Sequence, residues 1–141
     1  MRIIASLIFS ISVLHLSFAQ EDQSVSIEWT SPKKYVFENQ NFIVPSILNQ
    51  VWDNGKPTFY YQLKSKFKKA TVDLIAIETQ IAPSEDVIYL NKQNYKVTES
   101  LQVEAKHTSD GKATYAVVSM FPYITKAGVY HRVTKFTIHQ T

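Results

Sequence analysis

"VVSMFPYITKAGVYHRVTKFTI", residues Val117 to Ile138, is the stretch whose reading decides the fold. It reads as two aromatic-rich strands broken by Pro122 and Gly128. In its last segment, Val133 to Ile138, apolar and polar residues alternate. Phe136 and Ile138 are therefore expected to face a core, with Lys135 and Thr137 facing solvent.

Working outward, the same period of two recurs. "SVSIEW" puts Val25, Ile27 and Trp29 on one face and Ser26 and Glu28 on the other. "TFYYQLKSKF" turns Phe59, Tyr61, Leu63 and Phe67 inward and Gln62, Lys64 and Lys66 outward. "KVTESLQVEAKH" sets Leu101, Val103 and Ala105 against Gln102, Glu104 and Lys106. Asp110-Gly111 then lies between two strand-like runs, the pair suited to a tight hairpin turn in which both central residues take positive φ. Two segments, Thr71 to Ile81 and Tyr115 to Phe121, are apolar on both faces and are predicted to be central strands. One helical piece is expected, near Ser84–Leu90, with Ser84 as its cap and Glu85 and Asp86 in its first turn; it should last two turns at most. Pro32, Pro45, Pro57, Pro83 and Pro122 fall between or at the ends of the strand-like runs. The predicted fold is all-β, an antiparallel β-sandwich of about seven strands.

The chain has 141 residues, 45% of them hydrophobic and 13% aromatic, enough for one domain with a proper core. Residues 1–19 read as a secretory signal peptide: Arg2, an apolar run from Ile3 to Leu16, and small residues at Ser17 and Ala19. Cleavage after Ala19 would leave Gln20 first. The apolar run is shorter than the roughly 20 residues of a bilayer span, so no transmembrane segment is expected after cleavage. No Cys follows it, which removes a lipid-modified amino-terminus. Residues 20–141 are read as a single β-sandwich domain, exported to the periplasm, outer membrane or cell surface.

The chemistry read from the residues is a series of exclusions. The chain contains no Cys, so thiol nucleophiles, thiolate metal sites and disulfides are all excluded. Its three glycines, Gly55, Gly111 and Gly128, are too dispersed for a phosphate-cradling loop. His131 and His139 would share a strand face about 26 Å apart, too far for one metal ion; these and His107 read as surface histidines. Glu21-Asp22 and Glu85-Asp86 are adjacent pairs that supply no acid and base couple. Losing the leader takes Arg2 from the 15 basic residues and none of the 12 acidic ones, so the net charge falls from +3 to +2. That is too little to imply a nucleic-acid partner. The lysines of Lys64–Lys69 read as a solvated strand end. Tyr60, and Trp52 beside the Asp53-Asn54-Gly55 turn, are the aromatics expected to be exposed. No catalytic, cofactor or metal residue is assigned, and the partner-binding surface is left unknown.

"SVSIEWTSPKKYVF", "NFIVPSIL", "FYYQLKSKF" and the closing unit with its Val133–Ile138 strand together resemble the amino-terminal, prodomain-like region of the type IX secretion sortases, members of the gingipain (C25) cysteine peptidase family. The resemblance implies a non-catalytic module that packs against a downstream peptidase domain and aids its folding or restraint. The peptidase's Cys and His would lie beyond this chain, so no catalytic residue carries over. On this reading the chain is the leading module of a larger protein, or a short relative that keeps the module alone. The alternative is a free-standing envelope adhesion or glycan-binding sandwich.

Overall fold

The computed structural model describes residues 21–53, 56–65 and 71–140. The signal-peptide reading, Asn54-Gly55 and the Lys66–Lys69 part of the basic cluster, with Phe67, lie outside these residues. In chain order the elements are β1 (Glu21–Ser26), β2 (Trp29–Phe37), β3 (Gln40–Ile47), β4 (Gln50–Asp53), β5 (Lys56–Ser65), β6 (Val72–Ile81), α1 (Ser84–Gln93), β7 (Val103–Ser109), β8 (Thr114–Met120), β9 (Tyr123–Lys126) and β10 (Val129–Gln140). The described residues thus form ten strands where about seven were expected. Much of the excess is the β2–β3 pair and the short β4 and β9.

The strands build two antiparallel sheets and a separate two-stranded arm. In one sheet β10 is central, with β6 along one edge and β1 and β9 sharing the other. The second sheet has the order β4-β5-β8-β7. The arm is β2 paired with β3. The alternation of apolar residues dictates how the sheets meet. Phe136 and Ile138 of β10 are fully buried, as are Val118 and Ala116 of β8, with Phe59 of β5 close behind. Phe59 and Phe136 meet edge to face across the sandwich, ring centres 5.9 Å apart and planes at 81°. Val25 and Ile27 close the same core from β1 and the segment after it. Burying a side chain of this size is worth about 1.5–3 kcal/mol, so this layer supplies most of the cohesion between sheets.

Of the two segments expected to be central, β8 is, lying between β5 and β7. β6 is not: it occupies an edge, because β10 takes the middle of that sheet, and Ile75, Ile77 and Ile81 are 42%, 38% and 69% exposed. Ala76 at φ 50° interrupts its pairing with β10, where the register slips on either side of Lys135. The bulge turns the strand's apolar face partly outward.

The turns also depart from expectation. Asp110-Gly111 does not make a two-residue turn; only Gly111 takes positive φ, at 86°. The Asp110 carboxylate instead accepts the backbone N–H groups of Lys112 and Ala113, each at 2.8 Å, folding a four-residue loop. Those two bonds hold the Asp110 carboxyl below the usual range. The tight turns with two left-handed residues are Glu38-Asn39 (φ 49° and 61°) and Ala127-Gly128 (φ 49° and 77°). Pro32 lies inside β2 rather than at an end, opposite Pro45, where the β2–β3 register shifts between Thr30 and Lys33 and no ladder N–H is needed. The helix is present but runs to Gln93, nearly three turns. Ser84 does not cap it; Pro83 holds the cap position and no side chain bonds there. Asn94, left-handed at φ 53°, ends it.

Candidate interaction surface

The residues singled out for chemistry are dispersed. His139 pairs with Asp22 across β1 and β10. His131 Nδ1 lies 3.3 Å from the Thr79 hydroxyl. His107 Nε2 lies 2.9 Å from Gln140 Oε1, which also accepts from the Ser65 hydroxyl. All three histidines are half-buried with partners, a correction to the surface reading, because each projects from a strand paired to a neighbour. No group of three metal-binding side chains occurs among the described residues. No helix among them is long and apolar enough to cross a membrane.

The notable polar feature was not legible as a site. Asp86, 2% exposed, points from the first turn of α1 into the protein. The Tyr123 hydroxyl donates to its Oδ2 at 2.9 Å, and Arg132 Nε stands 3.4 Å from the same oxygen. The Arg132 contact is an ion pair without hydrogen-bond alignment. The guanidinium lies 4.6 Å over the Trp29 ring, and Trp29 in turn packs 5.3 Å from Tyr123. Burial, more than anything else, raises the Asp86 carboxyl, against the lowering influence of the Tyr123 bond and Arg132. Burial followed by the Asp86 charge pushes the Tyr123 hydroxyl far up. The cluster is a brace that ties α1 to β9 and β10. The available signal was helical spacing: Asp86, Tyr89 and Leu90 fall on one face of α1, and all three are buried.

This brace fixes what surrounds it. Val44 of the arm packs in a second apolar cluster with Tyr89, Leu90 and Tyr123. The Trp29 indole N–H donates to the Val133 carbonyl at 2.8 Å, pinning the arm's base to β10. Beyond that base the arm is open: Tyr35, Val36 and Phe37 are 41%, 73% and 66% exposed, and Ile43 is exposed beside them. Trp52, 54% exposed on β4, meets Tyr35 edge-on at 6.4 Å. Trp52 and Tyr60 are exposed as expected, but the larger apolar surface is the arm, whose residues had not been singled out. The exposed apolar side chains lie on both faces of the hairpin, Tyr35 and Phe37 on one and Val36 and Ile43 on the other, and exposed apolar residues gathered on one element mark an interaction site.

No family model matches the chain, and no curated protein does. Solved structures do. One is the complex of the pro- and mature domains of Porphyromonas gingivalis RgpB, with TM-score 0.52 and 13% identity over 86% of this chain and 79% of the other. Another, described as giving insight into the zymogenic latency of gingipain K from Porphyromonas gingivalis, has TM-score 0.51 and 16% identity, covering 88% of both chains. The chain has a gingipain-prodomain-like fold. At these identities the likeness concerns the fold alone.

Proposed function

We propose that this chain is a non-catalytic, prodomain-like module that packs against a C25-type cysteine peptidase domain. The observation that carries this reading is the fold shared with the gingipain structures over 86% and 88% of this chain. Two features support it: the absence of any cysteine, which leaves no thiol nucleophile here, and an apolar arm whose tip is exposed among the described residues. The module's role is to aid folding of the peptidase or restrain it. The finer assignment, to the amino-terminal region of a type IX secretion sortase of the PorU kind, rests on the sequence resemblance. With it go export through the leader at residues 1–19, a single domain over residues 20–141, and a place in the periplasm, outer membrane or cell surface.

The test has two steps. The coding sequence after Thr141, and the genes beside it, are read for a Cys- and His-bearing C25 peptidase domain. That domain is then produced separately and mixed with residues 20–141, and the mixture is run by size-exclusion chromatography. Co-elution as a one-to-one complex is expected. Finding no such peptidase, or separate elution at micromolar concentrations, overturns the proposal.

A further inference from the structure

The hairpin arm, α1 and β4 border a shallow, open groove of about 240 Å³ lined by Tyr35, Phe42, Trp52, Tyr89, Gln93 and Tyr95. Resting on the reading above, we propose that this groove receives an acidic segment of the partner peptidase, one in which a bulky apolar side chain sits beside a carboxylate.

Size speaks first. The groove falls below the roughly 300–1,000 Å³ of small-molecule sites, and suits one inserted side chain better than a free ligand. Charge speaks next. No Asp or Glu lines the groove. Two ammonium groups stand just outside its lining: Lys92 Nζ is 4.7 Å over the Phe42 ring, in an adjoining hollow shared with Glu85, and Lys56 Nζ is 4.9 Å over the Tyr95 ring, in another shared with Asp53 and Glu104. Among the described residues neither lysine has an ion pair, although Asp53 is opposite Lys56 in the β4–β5 register. An entering carboxylate thus finds cations held over ring faces and in no ion pair among the described residues.

Ring geometry decides between a peptide and a glycan. A sugar-binding platform needs open aromatic faces lying side by side. Here Lys92 and Lys56 cover the faces of Phe42 and Tyr95, while Tyr35 and Trp52 meet at 77°. The groove is shallow and ridged, and it offers ring edges to an apolar side chain. Tyr89 forms its floor, buried and hydrogen-bonded with Tyr95; burial foremost, then that bond, raises its hydroxyl, so the floor stays neutral.

The test measures affinity between residues 20–141 and the separately produced peptidase domain by isothermal titration calorimetry. Trp52→Ala and Tyr35→Ala, both at exposed positions, should each weaken binding tenfold or more. Thermal melts matching the parent chain would establish that both variants fold. Lys56→Gln with Lys92→Gln should weaken binding and flatten its dependence on salt. Ile75→Ala and Ile81→Ala, on the exposed face of β6, should leave affinity within twofold. A complex whose affinity ignores the Trp52 and Tyr35 changes overturns the groove assignment and leaves the peptidase-packing reading standing; absence of any complex overturns both. Retention of the chain on immobilised hyaluronate that is lost in Trp52→Ala overturns the peptide in favour of an acidic polysaccharide.

Discussion

Phe136→Ala tests whether β10 is the keystone between the two sheets. Phe136 is fully buried at the middle of a strand paired on both edges, and its ring meets Phe59 of the opposite sheet edge to face. Truncation removes the ring, the aromatic pair and the filling of the space between sheets. Phe→Ala changes in cores cost about 3–5 kcal/mol, and loss of an aromatic pair accounts for about 0.5–1.5 kcal/mol of such a sum. Against a total stability of about 5–15 kcal/mol, the variant keeps a folded state with much of its margin gone. The control is Lys135→Ala, one residue away on the solvent face, which should change stability by no more than about 0.5 kcal/mol. Urea unfolding of residues 20–141 reads the difference. With a slope of about 2 kcal/mol/M, a loss of 4 kcal/mol lowers the midpoint by about 2 M while Lys135→Ala leaves it in place. Equal midpoints for the two variants would show that the segment closing the chain is not part of the sandwich, and the two-sheet arrangement around β10 would fall.

Asp86→Asn addresses the brace. Because burial raises the folded carboxyl above its ordinary value of 3.8, protonation favours the folded state, so the parent chain should lose stability relative to the Asn variant as pH rises from about 4 through the raised value towards 7. Urea midpoints of both proteins across that range check it; a constant difference, or one of opposite slope, contradicts the burial argument. Ala127→Asn should stabilise the chain by about 0.5–1 kcal/mol, because Ala127 at φ 49° heads the β9–β10 turn, where Asn tolerates the left-handed region better. A lowered melting temperature would refute the turn assignment.

How much of this was legible in the sequence depends on the kind of signal. Alternation along Val25-Ile27-Trp29, Phe59-Tyr61-Leu63 and Phe136-Ile138 fixed strand faces correctly, because side-chain direction in a strand is a local property. Order within a sheet is not local. The apolar run of β6 looked central, yet nothing within it reveals that β10 would take the middle or that Ala76 would bulge. The arm was missed as a hairpin for a related reason: Glu38-Asn39 is an uncommon pair for its turn, and Pro32 and Pro45 break the alternation on both strands at once. Asp86 was read only as a first-turn acid, which the helix dipole favours. Its burial depends on Tyr123 and Arg132, 37 and 46 positions further along the chain, and only the folded pairing of β9 with β10 brings them to it.

The arm and the brace belong together physically. A two-stranded hairpin alone is marginal in water, so the β2–β3 arm must take its rigidity from its base. That base is Trp29, whose indole N–H bonds the Val133 carbonyl and whose ring carries the Arg132 guanidinium that also pairs with Asp86. A surface held in its binding shape beforehand loses less entropy on docking, which is the advantage of anchoring an exposed apolar arm this way. Trp29→Phe isolates the anchor, since it keeps an aromatic ring while deleting the N–H donor and weakening the cation–π contact. The two losses together should lower the free energy of arm opening by about 1–2 kcal/mol, which speeds hydrogen exchange of the β2–β3 amides by a factor of about 5–30. The amides of β8, buried between β5 and β7, should exchange at nearly the parent rate, because the main core does not depend on the arm. Unchanged protection in β2–β3 would mean that the arm is held by Val44 and its apolar neighbours alone; equal acceleration in β8 would mean that arm and sandwich open as one unit.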